Sequence, residues 1–378
     1  MARILYLTQG YTPHDWRFLS KLIENAHETW FLPCRAYTHR YESRRLPQGV
    51  RELPSLSTSE GTWGISQWLR SLIRLRENLR QIQPQLIHAG PVQGGGFLAA
   101  LSGFHPLLVM SWGSDVLVDA DRSASLRWMT RFTLSRADMV FGDCRAVQNR
   151  AVSLSSLKPD QFVLFPWGVE LTLFRPRPSD LQLRSKLGWD TNVVLLATRG
   201  FQPIHAPLVL LEAFRHTLQS NPHARLIFVG TGSLRPQVDA FIKDYALSDK
   251  VYLPGQVLHP SLVDYFNEAD IYVSSTMSDG SSISMLEAMA CGRPVIVTDG
   301  FGNPEWVKPG QNGWLYPAGD AGALALAIRE AIDHPAQRET MGHRNRELAL
   351  AKANWDQNFN LLLSAYARLL EGGRYDAV

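Results

Sequence analysis

Cysteine is scarce in this sequence of 378 residues, which contains only three copies. Cys34, Cys144 and Cys291 lie far apart and form neither a C-x-x-C pair nor a Cys/His spacing typical of metal ligands. An odd and sparse set of cysteines is typical of a reducing compartment. The cysteines therefore predict no metal site, and we expect ordinary buried thiols.

Long hydrophobic runs are also missing. No stretch of about 18 uncharged apolar residues occurs, so no segment is predicted to cross a bilayer. The first apolar run, residues 4–7, is cut short by Gln9-Gly10 and is too brief for a signal peptide. We expect a cytoplasmic protein, with peripheral association at the inner face of a membrane as an open alternative.

Charge is nearly balanced overall, at +3, but it is unevenly distributed. Residues 1–168 hold 19 Lys and Arg against 13 Asp and Glu, and the remainder holds 19 against 22. The basic N-terminal half indicates an anionic partner, either a membrane surface or an acidic acceptor. No nucleic-acid motif is present, so nucleic-acid binding is not expected.

Two stretches in that half are basic and amphipathic, residues 65–82 and 125–136. A helix with an apolar stripe bordered by arginines can lie on an anionic membrane. The alternative is a helix that packs its apolar side on the core and exposes a basic face.

Short apolar runs alternate with turns and helical spacings along the whole chain, which predicts a doubly wound, parallel α/β fold. The predicted strands are residues 4–7, 86–89, 107–110, 139–141, 163–165, 193–197, 225–230, 251–253, 271–274 and 294–297. The segment 166–176, rich in Pro and Gly, interrupts the series. We therefore predict Rossmann-like domains over 1–167 and 168–353, with a last helical segment over 354–378 that packs on the N-terminal domain. In such sheets ligands bind beyond the carboxyl ends of the strands, so two facing halves would form a cleft.

The region 274–305 carries the clearest chemistry. A polar loop, residues 277–282, separates a strand from a helix that starts at Ile283 and ends near Gly292. Free N–H groups and the positive end of a helix dipole suit a diphosphate. Asp279 and Glu287 could accept hydrogen bonds from sugar or ribose hydroxyls. The alternatives are a helix cap for Asp279 and an exposed helical carboxylate for Glu287.

This region resembles the E-x7-E segment of glycosyltransferase family 4. Asp279 and Glu287 have the right spacing, and residues 286–299 read Leu-Glu-Ala-Met-Ala-Cys-Gly-Arg-Pro-Val-Ile-Val-Thr-Asp. Further matching pieces are residues 112–115, 166–174, 211–214, 229–232, 255–257, 302–307 and 310–315. Together they cover nearly the whole chain.

The resemblance implies a GT-B architecture, with two Rossmann-like domains facing an interdomain cleft. It implies a hexosyltransferase that moves a sugar, with retention, from a nucleoside-diphosphate sugar to a hydroxyl acceptor. The leaving phosphate would accept the proton of the acceptor. UDP is the commonest nucleotide of the family, and the acceptor is a lipid, a glycan or a small molecule. No cofactor and no metal is expected.

The resemblance also assigns roles to residues. Glu287 would hold the donor ribose, Asp279 would contact sugar hydroxyls, and Arg199 would bind the diphosphate. The remaining donor contacts are Val257 at the nucleobase, Gly10 in a loop closing over the donor, and Gly280, Ser281, Ser282, Ile283 and Ser284 around the sugar and diphosphate.

Three positions depart from the family pattern. Asp279 stands where Glu is usual, and His205 stands where a Lys commonly follows Arg199 by six residues. His205 can supply a proton or a partial charge but not a permanent one, which predicts a pH dependence. Trp112 replaces a His, so the lost contact would come from Asp115 or His88.

Two other functions stay open, and the departures at His205 and Trp112 favour the second of them. One is a GT-B sugar-nucleotide epimerase, which needs no acceptor. The other is a non-catalytic protein that binds a nucleotide sugar.

Overall fold

The protein is described here by a computed structural model that covers residues 1–37, 42–58 and 63–372. The chain divides into two compact units. Unit 1 contains Met1–Phe165 and Phe359–Val378, and unit 2 contains Pro166–Asn358. Both units are α/β with one parallel sheet each, which confirms the predicted fold class.

The two boundaries between the units lie a few residues from the predicted ones, and one backbone contact accounts for both differences. Val169 exchanges backbone hydrogen bonds with Ala353 and Trp355. A side chain on Gly168 would lie 2.9 Å from the Ala353 carbonyl oxygen, so the two segments are in close backbone contact. Residues 166–167 and 354–358 therefore belong to unit 2. The predicted C-terminal segment beyond residue 372 lies outside the described residues.

Unit 1 is built on a seven-stranded sheet with the order β3-β2-β1-β4-β5-β6-β7. Its strands are β1 (Arg3–Thr8), β2 (Glu28–Pro33), β3 (Arg51–Glu52), β4 (Leu86–Ala89), β5 (Leu107–Met110), β6 (Met139–Gly142) and β7 (Phe162–Leu164). Its first helices are α1 (Pro13–Glu24), α2 (Ile65–Ile82), α3 (Phe97–Ser102), α4 (Ala120–Arg122), α5 (Ala124–Arg136) and α6 (Arg145–Leu154). Short π-helical turns precede α3 and α4, at Pro91–Gly96 and Asp115–Asp119, and a 3-10 turn at Pro159–Gln161 precedes β7.

Helix α1 begins five residues earlier than residue 18, where apolar spacing alone predicts it. Thr12 accepts a hydrogen bond from the Asp15 backbone, and the Asp15 side chain accepts one from Thr12 in return. Pro13 at the first helical position has the φ that a helix needs. This capping box sets the start of α1 ahead of its apolar residues.

Unit 2 is built on a six-stranded sheet with the order β10-β9-β8-β11-β12-β13. Its strands are β8 (Val193–Ala197), β9 (Ala224–Phe228), β10 (Val251–Tyr252), β11 (Ile271–Val273), β12 (Val295–Thr298) and β13 (Gly313–Tyr316). Its helices are α7 (Leu183–Leu187), α8 (Pro207–Thr217), α9 (Arg235–Asp244), α10 (Leu262–Glu268), α11 (Ile283–Ala290), α12 (Asn303–Trp306), α13 (Ala321–Asp333) and α14 (Pro335–Lys352). Two 3-10 turns, Pro203–His205 and His259–Ser261, precede α8 and α10.

Strand β8 shows why this sheet is buried on both faces. Val194 and Leu196 pack into one hydrophobic cluster, whereas Leu195 and Ala197 pack into another on the opposite face. Successive side chains of a strand point to opposite faces, so a continuous apolar run fills both layers. This burial explains why such a run marks a parallel strand.

The last helix, α15 (Trp355–Glu371), passes from unit 2 into unit 1. Within unit 1, Phe359 lies against Phe18, and the Tyr366 hydroxyl lies 2.6 Å from His88 Nδ1. The helix therefore completes the aromatic layer beneath β1 and β4. In the described part of the chain, no helix combines the length and apolarity needed to span a bilayer.

Candidate functional site in unit 2

The candidate site lies where the strand order of unit 2 reverses. Strands β8 and β11 are neighbours and parallel, so their carboxyl ends lie side by side. Arg199 follows β8 by two residues, and the loop 274–282 follows β11. Such a reversal leaves a crevice beyond the strand ends, which is where open α/β sheets bind ligands.

Arg199 and Asp279 meet across this crevice. Arg199 Nη2 lies 2.9 Å from Asp279 Oδ2, and both side chains are partly buried. The contact is an ion pair by distance but lacks hydrogen-bond alignment, because Asp279 Oδ2 and Arg199 Nε have no hydrogen-bond partner. The adjacent Ser278 Oγ is also buried without one. Unsatisfied buried polar atoms cost about 1–3 kcal/mol each, so these atoms of Arg199, Ser278 and Asp279 are candidates for contacts with a ligand.

The N-terminus of α11 faces the same region. Ser282 is its N-cap residue, and no side chain caps the helix. The first intrahelical bond runs from the Leu286 N–H to the Ser282 carbonyl, so the N–H groups of residues 283–285 have no helical acceptor. Asp279, the predicted alternative cap, pairs with Arg199 instead. The helix start therefore keeps its donors available to an anion.

The serines of the loop have defined partners. Ser281 Oγ accepts a hydrogen bond from the Trp306 indole at 2.9 Å, and Ser284 Oγ accepts one from the Tyr272 hydroxyl at 2.8 Å. Ser282 Oγ lies 3.2 Å from Ser284 Oγ. These bonds fix the loop between β11, α11 and α12.

The backbone of Gly302 lies close to the backbone of Gly280 and fixes its position. A Cβ atom on Gly302 would lie 2.3 Å from the Gly280 carbonyl oxygen, so only glycine fits at position 302 without displacing the loop. The neighbouring Gly300 has open space at the same position. The first turn of α12 therefore supports the loop that carries Asp279.

Glu287 is almost fully buried and has a partner that the sequence did not indicate. Its Oε1 lies 2.6 Å from His259 Nε2, and the His259 ring packs against Phe174. Its Oε2 makes no hydrogen bond within the described chain. Glu287 is therefore fixed through one oxygen and open through the other. The predicted alternative of an exposed helical carboxylate is wrong, because only 2 % of Glu287 is exposed.

Val257 lies two residues before His259 and packs partly on the core beside β11. The loop begins at Gly255, whose φ of +79° is in the left-handed region. Through the His259 contact this loop is joined to α11, so the predicted nucleobase residue and the predicted ribose residue lie on connected segments.

His205 does not carry the charge that its position predicts. Burial lowers the pKa of His205 to about 3, and the nearby Arg199 charge adds to the shift. Its Nδ1 lies 3.4 Å from the Thr276 hydroxyl, and its carbonyl accepts from Ser275 Oγ. With this pKa the imidazole is neutral at pH 7 in this structure. The positive charge of this site comes from Arg199.

Two predicted residues belong to unit 1. Gly10 follows β1, and a Cβ there would meet only Tyr37 at 3.4 Å, so no steric need for glycine is present. Asp115 is buried and accepts four hydrogen bonds, from Ser111 Oγ and from the N–H groups of Val92, Trp112 and Val116. Burial raises the pKa of Asp115, and these bonds oppose the rise. Asp115 thus anchors the π-helical turns beyond β4 and β5.

His88, the other predicted source of a polar contact, is a core residue. It is fully buried among Tyr6, Phe18, Phe141 and Tyr366. Burial lowers the pKa of His88 to about 3. Its place in the aromatic layer gives it a structural role.

Four residues of the unit 2 site were not predicted from the sequence: His259, Ser278, Gly302 and Trp306. The sequence could have indicated His259, because it follows the recognised residues 255–257 by two positions. The others lie in stretches that the sequence singled out, Ser278 in the loop 277–282 and Gly302 and Trp306 in the matching piece 302–307, but their individual contacts are seen only in the structure. In the described ranges no group of three or more His, Cys, Asp or Glu side chains could hold a metal ion, and the three cysteines are free and buried.

Comparison with known proteins adds to this geometry. The family model for glycosyl transferases group 1 matches residues 181–348, and a glycosyl transferase 4-like model matches residues 54–143. D-inositol 3-phosphate glycosyltransferase 1 of Catenulispora acidiphila is 29% identical over 255 residues, covering 64% of this chain and 60% of the relative. A Corynebacterium glutamicum protein is 26% identical over 241 residues, covering 61% of this chain and 58% of its own. It is named a GDP-mannose-dependent monoacylated alpha-(1-6)-phosphatidylinositol monomannoside mannosyltransferase. The matched stretches thus span about 60% of the length of these relatives.

Solved structures share the fold of nearly the whole chain. Sucrose-phosphate synthase from Thermosynechococcus elongatus superposes with a TM-score of 0.82 at 20% identity, over 99% of this chain and 100% of that one. Anabaena HepE in complex with UDP-glucose gives a TM-score of 0.79 at 18% identity, over 97% and 100%. Residues 181–348 and 54–143 thus match glycosyl transferase family models, and the chain has the GT-B fold of these solved structures.

Proposed function

We propose that this protein transfers a sugar from a nucleoside-diphosphate sugar, with UDP as the preferred nucleotide, to a hydroxyl acceptor. The observation that carries the proposal is the set of unsatisfied polar atoms on Arg199, Ser278 and Asp279, beside the uncapped start of α11. A diphosphate and a hydroxyl-rich sugar supply the acceptors and donors that these groups lack.

Different residues bind the diphosphate, the sugar, the ribose and the base of the donor. Arg199 and the free N–H groups of α11 bind the diphosphate, and Asp279 accepts from sugar hydroxyls. Glu287 Oε2 accepts from the ribose while His259 holds Oε1. The main chain around Val257 contacts the base, and Gly280, Ser281, Ser282, Ile283 and Ser284 line the sugar. Gly10 remains the proposed point of closure from unit 1.

The reaction breaks the bond between the anomeric carbon and the diphosphate oxygen, and forms one to the acceptor oxygen on the same face. The acceptor proton passes to the leaving diphosphate. Negative charge grows on that diphosphate, and fixed positive groups that await it lower the barrier. Arg199 and the α11 terminus supply this charge, so we propose a transfer that needs no metal, and persistence of activity in EDTA tests this.

The supporting likenesses favour a UDP donor. Several solved neighbours contain UDP or UDP-glucose, although one sequence relative is named for GDP-mannose. The acceptor is proposed to be a hydroxyl of a lipid, glycan or small molecule. Inositol-type compounds belong in the first panel, because two relatives carry such acceptors in their names.

The test is titration with UDP, GDP and ADP, followed by transfer assays with the matching nucleotide sugars and NMR analysis of the product anomer. We expect the tightest binding for UDP and a product of retained configuration. Interconversion of the donor sugar without acceptor would instead indicate an epimerase. Nucleotide binding without any turnover would indicate a non-catalytic binder.

Unit 1 offers a surface for an acceptor held at a membrane. On α2, Ile65 is 82% exposed, Leu69 56% and Ile73 58%, and these residues follow one another at helical spacing. Trp128 of α5 is 57% exposed. Phe97 contacts both Trp68 of α2 and Trp128, so it connects the two helices.

The border of this apolar stripe is basic. Its exposed arginines are Arg70, Arg74, Arg76, Arg80, Arg127 and Arg131. Glu77 is the acidic residue of α2, and α5 has none. Such a pattern fits the interface of an anionic bilayer, so we propose that unit 1 docks on anionic lipid.

A further inference from the structure

Unit 2 contains a cavity at the amino ends of its central strands, at the other end of the sheet from Arg199. Its volume is about 350 Å³. It is lined by residues that precede β11 and β12, including Asp270 and Arg293, and by one face of α14, including Arg338, His343 and Arg346. None of these residues belongs to the proposed donor site.

Three arginines line this cavity, and within the described residues each guanidinium group donates its hydrogen bonds to neutral oxygens. Arg293 donates to the Ala269 carbonyl and to Asn267 Oδ1. Arg338 Nη1 donates to the carbonyls of residues 331 and 332, and Arg346 Nη1 to those of residues 174 and 290. Within the described residues no carboxylate forms an ion pair with any of the three.

Donors remain open on all three groups. Arg293 Nε is buried with no hydrogen-bond partner, and the Nη2 groups of Arg338 and Arg346 make no hydrogen bond to the described chain. Burial lowers the pKa of each of these arginines, and the Asp270 charge opposes the shift at Arg293 and Arg338. Asp270 is hydrogen-bonded to Arg184 and to the Val194 N–H, and Glu339, the other carboxylate of the lining, lies exposed on α14.

The walls of the cavity are fixed in place. A Cβ on Gly342 of α14 would lie 2.3 Å from the Gly292 carbonyl oxygen, so helix and loop are in direct backbone contact. Asn345 Nδ2 donates to the Arg293 carbonyl at 2.8 Å. The first turn of α14 also lines the cavity, which adds the positive end of a helix dipole.

We propose that this cavity, the arginine pocket, binds a phosphate-bearing anion. Guanidinium groups present paired N–H donors that match phosphate oxygens, and a doubly charged phosphate can pair with arginines that form no ion pair with Asp270 or Glu339. The volume admits inorganic phosphate, pyrophosphate or a small sugar phosphate. The arginine pocket goes beyond the proposed transfer and does not depend on it.

Titration calorimetry with inorganic phosphate and with pyrophosphate, at constant ionic strength, tests the proposal. The double variant Arg338→Gln/Arg346→Gln should weaken binding at least about tenfold. Arg344→Gln is the matched control, since Arg344 lies on the same helix and caps the Gln311 carbonyl outside the pocket. The control should bind as the wild type does.

His343→Glu is a second variant, in case loss of the carbonyl contacts unfolds the double variant. His343 is exposed on α14 and lines the pocket, so a carboxylate there repels phosphate without removing a buried contact. Binding should again weaken at least about tenfold. Absence of saturable phosphate binding in the wild type, or equal binding in wild type and folded pocket variants, would overturn the proposal.

Discussion

His259 Nε2 lies 2.6 Å from Glu287 Oε1, and this contact joins the loop after β10 to the middle of α11. Both side chains are largely buried, with 13% and 3% of their area exposed. A buried carboxylate needs such a partner, because an unpaired charge in the protein interior is strongly unfavourable. The pair leaves the second oxygen of Glu287 for a ligand.

The first prediction concerns this pair. His259→Ala should weaken UDP binding about tenfold, because a hydrogen bond to a charged group contributes about 1.5–3 kcal/mol and Glu287 would lose its orientation. Calorimetric titration measures the change. His216→Ala is the control, since His216 forms a comparable contact with Glu212 at 2.9 Å on the outside of α8. Equal affinities for both variants would contradict a positioning role for His259.

Variants of Arg199 and Asp279 should affect different steps, nucleotide binding and sugar transfer respectively. Arg199→Lys keeps a charge but loses the planar fork, so UDP affinity should fall about tenfold. Asp279→Asn should leave UDP affinity unchanged or raised, while the transfer rate falls about a hundredfold, because the proposed contact is to the sugar. Calorimetry and steady-state kinetics on the same preparations measure both. Arg215→Lys, in the outer pair with Glu212, serves as control. A similar loss of UDP affinity in both site variants would refute the division of roles.

Gly302 should be necessary for the shape of the donor loop. Gly302→Ala places a methyl group 2.3 Å from the Gly280 carbonyl and must move the loop that carries Asp279. We expect at least about a tenfold loss of nucleotide-sugar affinity, equivalent to about 1.4 kcal/mol. Gly300→Ala, where the added methyl meets no atom, should bind normally. Normal binding by both variants would show that the loop adapts.

His88 should make unit 1 sensitive to acid. The folded state keeps His88 neutral down to a pKa of about 3, whereas the unfolded chain protonates it near 6.5. The unfolded state therefore binds more protons between these values, and the free energy of unfolding decreases as pH falls. The slope is about 1.4 kcal/mol per pH unit, or about 2 kcal/mol between about pH 7 and pH 5.

Urea denaturation of the wild type and of His88→Gln at these two pH values measures the effect. The variant should lose about 2 kcal/mol less on acidification. The same replacement at the exposed His223 is the control. An equal pH dependence for His88→Gln and wild type would argue against a proton-excluding site.

The stripe on α2 should govern membrane binding. Replacing Ile65, Leu69 and Ile73 by Ser should lower co-sedimentation with anionic phosphatidylglycerol vesicles at least about tenfold, since each side chain loses apolar contact with lipid. The control replaces Leu326 and Leu350, which are 60% and 47% exposed on unit 2. Binding by the wild type should weaken with added salt. Wild-type protein that stays in the supernatant would dismiss this surface.

Several elements were predictable because their signals are local. Helix α2 has the bounds of the amphipathic stretch 65–82, and the apolar runs at 193–197 and 86–89 form β8 and β4. Strand β2 was missed: it begins with Glu28 and Thr29, and its apolar run, Trp30-Phe31-Leu32, is only three residues long. Helix α1 started earlier than predicted, because a capping box rather than apolar spacing sets its beginning.

The sequence by itself determined the α/β class, the division near residue 166 and the loop-to-helix turn at 279–287. Each depends on residues close together in the chain. Only the tertiary structure showed that burial lowers the pKa of His205, that Asp115 accepts hydrogen bonds from the turns beyond both β4 and β5, and that Glu287 pairs with His259. These outcomes depend on burial and on partners from other segments, and neither quantity is encoded in local spacing.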